Sequence, residues 1–364
     1  MFYKLNLRCK KKKFDKKKDI STYQSLEYNL PLVNAKNGDN GVMYYGRFSD
    51  WESADYCIDI VNDGAVSTGN VYPQPQETGV LYNAYLIKGI DESFHNEFVI
   101  IYIAQALQKS IKLKYGYDNK ATWEKVKNNT LVLPSINDLP CTKFMESYIR
   151  ELEQERIREL DAYLRATGLN DYELTPEEEK CIKFMQSGGV KYKEFKIGEL
   201  FDIRKGKRLT KADQTSGFTP FIGSTDSNNG LTGYIGQSPI FNSPAITVNY
   251  NGSVGKSFYQ EYDFWASDDV NVLYLKNHIL SDLLYGYFGT VFEKSSKKYS
   301  YAFKWNLERM KESLIVIPVD LNGNIDYDFM TSFIKAIQKQ CIRPVVEWKE
   351  RVIETTKFLV GENA

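Results

Sequence analysis

The stretch TPFIGSTDSNNGLTGYIG, residues 219–236, has a near copy in LPLVNAKNGDNGVMYYG, residues 30–46. Pro220 answers Pro31, Asn229-Gly230 answers Asn40-Gly41, and Tyr234 answers Tyr45. Outward from this pair the match continues. ITVNYNGSV from Ile246 answers IDIVNDGAV from Ile58, with Gly252 on Gly64 and Val254 on Val66. VNVLYLK from Val270 answers YNAYLIK from Tyr82, Trp305 answers Trp123, and IVIP (315–318) answers LVLP (131–134). Last, FMTSFIKAIQKQ from Phe329 answers FMESYIRELEQE from Phe144. The order never changes, and the offset stays a little over half the chain. Chance supplies one Asn-Gly match but not six segments in register. The period is too long for a solenoid. It describes two copies of a domain, each followed by a helix.

Each copy reads as mixed α+β with a small, irregular sheet. Short β-rich runs such as PAITVNY and DVNVLYLK alternate with Asn-Gly, Gly-x-x-Gly and Ser-Pro turn signals. One helical stretch lies inside each copy, NEFVIIYIAQALQKSI and SDLLYGYFGTVFEKS. The helix after the second copy has a seam of Met330, Ile334, Ile337, Cys341, Val345, Trp348, Val352 and Leu359, at spacings of three and four. Pro344 is expected to kink or break it. The helix after the first copy carries Met145, Ile149, Leu152, Ile157, Leu160 and Leu164 under a charged outer face, and Gly168 is its expected C-cap. A short acidic helix follows, with Thr175 as N-cap and Pro176 at its first position. Residues 186–189 then link to the second copy.

A helix of about 30 residues is about 45 Å long, and two such seams in one chain pack most simply on each other, antiparallel. The expected fold class is therefore α+β: two pseudo-symmetric domains joined by two long antiparallel coiled-coil-like helices. The boundaries are a first domain at 1–140, a central helix and linker at 141–190, a second domain at 191–320 and a terminal helix at 321–364. Phe144, Met145, Ile149 and Leu152 are expected to anchor one helix, and Phe329, Met330, Ile334, Ile337, Trp348 and Val352 the other.

The 364 residues are 42% hydrophobic and 26% charged, as in an ordinary globular protein. No apolar run approaches the roughly 20 residues that span a bilayer, and the basic start lacks the apolar core of a signal peptide. The five cysteines (Cys9, Cys57, Cys141, Cys181, Cys341) are scattered, with no zinc spacing. Free thiols in a reducing cytoplasm fit that pattern. Formal net charge is zero but uneven: residues 10–19 are strongly basic, while ELEQERIRELD and TPEEEK are mostly acidic. Different faces then meet different partners.

Catalytic chemistry is hard to find. The two histidines, His95 and His278, sit in mixed contexts that suit structural or surface roles. There is no phosphate-cradling Gly-x-x-x-x-Gly-Lys-Ser/Thr loop, no Asn/Asp-Pro-Pro-aromatic motif and no metal site, and Asp268-Asp269 reads as a turn. Basic, polar and aromatic loops recur instead. IRKGKRLTKAD, from Ile203, puts Lys205, Lys207, Arg208 and Lys211 around a glycine, as phosphate contact requires. Ser224, Thr225, Asn228 and Asn229 offer short amides and hydroxyls that can read base edges. Lys256 and the run of Lys294, Lys297, Lys298 and Lys304 add charge. In the first copy Lys36, Asn37 and Asn40 take the matching loop, and Lys109, Lys112, Lys114 and Tyr115 the matching basic segment. An Asn-Asn-Gly is more often a plain turn and a lysine run a solvated face. The weight lies in their recurrence at matching places.

FKIGELFDIRKGKRLTKAD, TPFIGSTDSNNGLTGYI, the IVIP ending and the long helix after it resemble the target-recognition domain and spacer helix of type I restriction–modification specificity subunits. FMESYIRELEQERIRELDAYLRATGLNDYELTPEEEKCI is similar to that family's central region. The resemblance implies two target-recognition domains, each reading half of a split site on double-stranded DNA. It implies two methyltransferase subunits docked on the helices, with restriction and translocase subunits joining them. The chain itself then has no catalytic site or cofactor. S-adenosylmethionine, ATP and Mg act in the partner subunits, in the cytoplasm. One departure stands out. The second copy opens with FKIGELFDIRKGKRLTKAD, the first with a basic stretch in which only Lys18-Asp19 echoes Lys211–Asp213. The first strand of the first copy is expected to be missing or altered, through a truncated or recombined start, or else the basic arm contacts phosphates itself. Two other readings stay open: a specificity subunit whose partner fuses methyltransferase and nuclease, and, more distantly, a glycan-binding adhesive protein.

Overall fold

The computed structural model describes residues 1–300 and 303–361, with side chains described through residue 355. Leu359 of the expected seam lies outside the described side chains. The chain folds as two compact units, residues 1–160 and 161–364.

The first unit carries β1 (Phe2–Lys4), β2 (Ile20–Ser21), β3 (Leu30–Val33), β4 (Val42–Gly46), β5 (Cys57–Val61), β6 (Val71–Gln74), β7 (Gly79–Val80) and β8 (Ala84–Gly89). Next come α1 (Glu97–Ile111), α2 (Trp123–Val126), the small pair β9 (Ser135–Ile136) and β10 (Leu139–Pro140), and α3 (Thr142–Ala166). The second unit continues with α4 (Pro176–Gln186), β11 (Lys191–Lys196), α5 (Ile197–Leu200), β12 (Phe201–Lys205), β13 (Thr219–Ile222), β14 (Leu231–Ile235) and β15 (Ala245–Asn249). It closes with β16 (Ser257–Gln260), β17 (Trp265–Ala266), β18 (Val270–Leu275), α6 (Asp282–Ser296), α7 (Leu307–Glu312), β19 (Leu314–Val319) and α8 (Tyr327–Gly361).

The main sheets have one topology: β1-β8-β5-β6 in the first unit and β12-β18-β15-β16 in the second. Registers agree as well. Phe2 lies opposite Gly89 as Phe201 lies opposite Leu275, and Ile58 opposite Ile87 as Ile246 opposite Leu273. The smaller sheets, β2-β4-β3-β7 and β14-β13-β17, share the parallel β3·β7 and β13·β17 contacts. The duplication is therefore structural. Two details differ from the sequence reading. The first strand of the first copy is present: β1 is β12's counterpart, shorter but in the same register. The pairing of residues 82–88 with 270–276 is also off by two, because Ala84, not Tyr82, takes Val270's place. The turn after β5 is longer than the turn after β15, and a slip of two keeps every side chain on its face.

Each inner helix covers one sheet face. α1 begins at Asn96, whose side chain accepts from the Phe98 and Val99 amides, and it buries Phe98, Val99, Ile103, Leu107 and Ile111. α6 begins at Ser281, which accepts from the Leu284 amide, and it buries Leu284, Phe288 and Phe292. Met145 is fully buried in the first core with Ile58, Ile87 and Ile103. Met330 is fully buried in the second with Phe201, Phe288 and Trp305. Burying a methionine is worth about 2 kcal/mol, so each Phe-Met pair pins its long helix to its own domain through the methionine.

The phenylalanines of those pairs part company. Phe329 is buried against Phe333 and α4's Phe184, whereas Phe144 is half exposed and stacks only on Tyr148. Leu152, Ile337 and Trp348 are likewise at least a third exposed, so they do not form the buried seam expected of them. Within the second unit α8 packs on α4 and α6. Residues 161–186 run antiparallel to α8: Lys349 binds Asp161 at 2.6 Å, Lys339 binds Glu178 at 3.1 Å, and Phe184 meets Phe329. Thr175 and Glu178 form a capping box at α4, with Pro176 at its first position, and Gly168 (φ 71°) follows α3. α8 passes through Pro344 without a break.

Candidate nucleic-acid interface

In the second unit β12 and β15 end where β18 begins, and the candidate loops gather there. Gly206 N–H bonds the Val270 carbonyl, Tyr250 N–H the Asp269 carbonyl, and Ser267 N–H the Ile222 carbonyl. The loop at 223–230 is tied to the same end. Asn249 donates to the Thr225 carbonyl at 2.6 Å, and the Ser224 hydroxyl donates to the Asn251 carbonyl. Around this end stand exposed cations. Lys205 lies 5.5 Å from the Tyr250 ring, Lys207 lies 5.8 Å from the Trp265 ring, and Arg208 is 3.7 Å from Asp268. Lys211 is exposed.

Beyond the loop a cleft of about 580 Å³ opens toward α6, lined by Asp226, Lys256, Tyr285, Glu293, Lys294 and Lys297 among others. Lys256 binds Glu293 at 2.9 Å, and that hydrogen bond holds its ammonium above the usual lysine range. Lys298 is exposed, 5.4 Å from the Tyr299 ring, and the Lys304 carbonyl accepts from Arg309. This end of the unit is thus a mixed surface of cations and hydroxyls, with carboxylates among them.

Some candidates are spent inside the fold. Asn229 sits at φ 51°, a left-handed position that asparagine tolerates. Its amide donates to the Tyr259 carbonyl at 2.9 Å, and Gln260 donates back to the Asn229 carbonyl at 3.1 Å. Asn228 likewise donates to the Leu231 carbonyl. The first unit repeats the clamp: Asn40 (φ 50°) donates to the Pro73 carbonyl at 2.7 Å, and Gln74 donates to the Asn40 carbonyl at 2.7 Å. Asn40 and Asn229 therefore shape the turn. Exposed at the second tip are Asp226 and Ser227, which the sequence reading passed over. A carboxylate or hydroxyl there can accept from a base amino group. In the first loop Lys36 pairs with Asp39 at 2.9 Å, and the Asn37 carbonyl oxygen accepts from Asn70 at 3.0 Å.

In the matching segment of the first unit Lys109 and Lys114 are exposed, but Lys112, Lys114 and Tyr115 have partners within the unit. Lys112 donates to the Val66 and Thr68 carbonyls at 3.0 and 3.1 Å, and burial lowers its pKa. Lys114 donates to Asn129, and Asn129 donates to the Tyr115 hydroxyl at 2.6 Å. Lys109 remains exposed.

Under the first loop lies Asp59, fully buried, with neither carboxylate oxygen hydrogen-bonded to a protein group. Desolvation pushes its pKa well above the usual carboxylate range and so favours its neutral form. The loop's Gly41 passes directly over it: a Cβ there would stand 2.5 Å from Asp59 Oδ2 and 2.9 Å from the Tyr72 ring. The second unit has Thr247 at this point, its hydroxyl accepting from Gln260 at 3.0 Å.

The histidines have structural partners: His95 is 3.1 Å from the Gly89 carbonyl, and His278 stacks on Tyr327 at 4.0 Å. Among the described residues no group of His, Cys, Asp or Glu is placed to hold a metal ion, and no helix is long and apolar enough to cross a membrane.

Comparison with known proteins adds the following. Residues 189–345 match the family described as type I restriction modification DNA specificity domain. The chain is 29% identical to the type II restriction enzyme specificity subunit S.BcgI of Heyndrickxia coagulans, over 86% of this chain and 91% of that one. It is also 29% identical to a putative type I specificity subunit of Mycoplasma pneumoniae, over 41% of this chain and 60% of that protein. The crystal structure of a type I restriction–modification S subunit from M. genitalium shares the fold, with a TM-score of 0.57 at 14% identity over 99% of this chain and 94% of that one.

Proposed function

We propose that the chain is a DNA specificity subunit of the type I restriction–modification kind, whose domain residues 189–345 match, and that each unit reads one part of a two-part duplex sequence. The observation that carries this is the repetition of one sheet topology in one register, with the turn of each candidate loop clamped by Asn40 or Asn229. Two like modules suit two separated blocks of bases. The exposed cations beside the loops supply phosphate contacts, and loop-tip side chains supply base contacts. The long helices carry the partners, two methyltransferase subunits and, with them, restriction subunits. In this reading S-adenosylmethionine, ATP and Mg act in those partners, and this chain catalyses nothing. The reading is tested by selecting from a random duplex library with the chain co-purified with its methyltransferase. Enrichment of two short blocks at a fixed gap is expected. Enrichment of a single continuous block, or of none, defeats it.

A second reading has one specific support: the relative that spans 91% of its own length is named as a subunit of a type II restriction enzyme. In that case one partner chain holds both methyltransferase and nuclease. Mass spectrometry of the native complex separates the two readings by whether methylation and cleavage reside in one partner chain or in several.

A further inference from the structure

Residues 5–29 join β1 to β3 just as residues 206–218 join β12 to β13. The two connections fill one topological slot, and the first is longer. Its extra length carries KKKKFDKKKD, residues 10–19. This run is held to the unit. Cys9 bridges Trp51, Lys10 N–H bonds the Asp50 carbonyl at 2.8 Å, and Phe14 lies edge-on to Trp51 at 5.7 Å. Asp19 is buried and accepts from Lys11 at 2.6 Å and from the Asp15 amide at 2.7 Å. Lys11 also reaches Asp50 at 3.0 Å, and Lys16 lies 4.9 Å from the Tyr44 ring.

Those contacts use up Lys11, Lys16 and Asp19, while the exposed Asp15 carboxylate accepts from the Lys17 amide at 2.9 Å. Lys12, Lys13, Lys17 and Lys18 are exposed, and among the described residues no carboxylate pairs with their ammonium groups. The result is a positive ridge whose backbone is already ordered, so an anion that binds it meets a smaller entropy cost than a free tail would impose. The ridge is anchored past the far end of β4, at Asp50 and Trp51, and reaches back along that strand toward the candidate loop. β1 leaves its sheet at the end where Asn83 N–H bonds the Asn34 side chain, and Lys16 sits on Tyr44 of β4, the strand that follows the loop. In the second unit the same slot carries Lys207, Arg208 and Lys211.

We propose that the arm at residues 10–18 is a backbone-phosphate contact for duplex DNA, lying along the strand that follows the 34–41 loop, with Lys12, Lys13, Lys17 and Lys18 as its free cations. This rests on the reading of the first unit as a DNA-recognition module. Duplex DNA is favoured over an anionic membrane because the run's one aromatic residue, Phe14, packs on Trp51 instead of standing out among the lysines for insertion.

The test is the salt dependence of binding to a random-sequence duplex, for the full chain with its methyltransferase partner. Each phosphate contact contributes about −0.9 to the slope of log K against log salt. The variant K12Q/K13Q/K17Q/K18Q is expected to flatten that slope by about 3 to 4, with an unchanged melting temperature, and four arginines at the same positions are expected to restore it. A glutamine variant with the wild-type slope overturns the arm and leaves the two-module reading standing. A wild-type chain that binds no duplex overturns both, as does one that binds only anionic vesicles.

Discussion

Asp59 is buried beneath the candidate loop of its unit, with no hydrogen-bond partner among the described residues. Its folded pKa stands above its unfolded value, so the folded state keeps a proton that the unfolded chain releases above about pH 4. Stability therefore falls as pH rises from there toward the folded pKa, by at most about 1.4 kcal/mol per pH unit for one proton. Asp59→Thr copies the second unit, where Thr247 accepts from Gln260, and it offers Gln74 the same bond. The variant is expected to melt higher at neutral pH. The wild-type-minus-variant difference in stability should widen as pH rises from about 4 toward the folded pKa, as followed by thermal unfolding across pH. A constant difference would mean that Asp59 does not titrate in this way. The same residue-level view shows what a sequence hides. Asn40, Asn229 and Lys112 have the chemistry of base and phosphate contacts, yet each is committed to backbone carbonyls of its own unit. The carbonyls that Asn40 and Lys112 reach lie more than 30 positions away, and Asn229's lies 30. Only folded geometry assigns such partners.

At the scale of elements, α4 is fastened to α8 by one buried cation. Lys339 reaches Glu178 at 3.1 Å, Asp171 at 3.0 Å and the Glu173 carbonyl at 2.7 Å, and both Lys339 and Glu178 are almost fully buried. Removing one partner of such a pair leaves the other charge stranded, at roughly 3 kcal/mol. Lys339→Met is expected to lower the melting temperature of the second unit sharply, and Lys339→Met with Glu178→Gln to recover much of the loss. Additive losses in that double-mutant cycle would show that the two groups do not act as a pair. The acidic helix was legible in sequence from Thr175, Pro176 and Glu178 because a capping box is local. What it packs on was not. A seam at spacings of three and four announces an apolar face without naming the partners, here α4 and α6, that pack on α8 within the second unit. β1 was missed for a related reason: three residues opposite β8 carry too little pattern to match β12's five, and only the register reveals them as equivalent.

For the molecule as a whole, duplication implies that the two units can be altered one at a time. The loop at 223–230 is secured within its own unit by Asn249, Gln260 and the Ser224–Asn251 contact, and the loop at 34–41 by Gln74, Tyr72 and Asn83. A graft should therefore spare the clamp. Replacing residues 225–228 by KNGD from 36–39, while keeping Ser224 and Asn229-Gly230, preserves the clamp and the left-handed turn and exchanges only the tip. It also exchanges Thr225 and Asp226 for the lysine and asparagine at their matching positions, so the donors and acceptors offered to the groove change. Selection from a random duplex library should then return a new sequence for one block, with the other block and the gap unchanged. Change in both blocks, with the melting temperature intact, would mean that the two tips read one shared stretch of bases, and the assignment of one block to each unit would be lost.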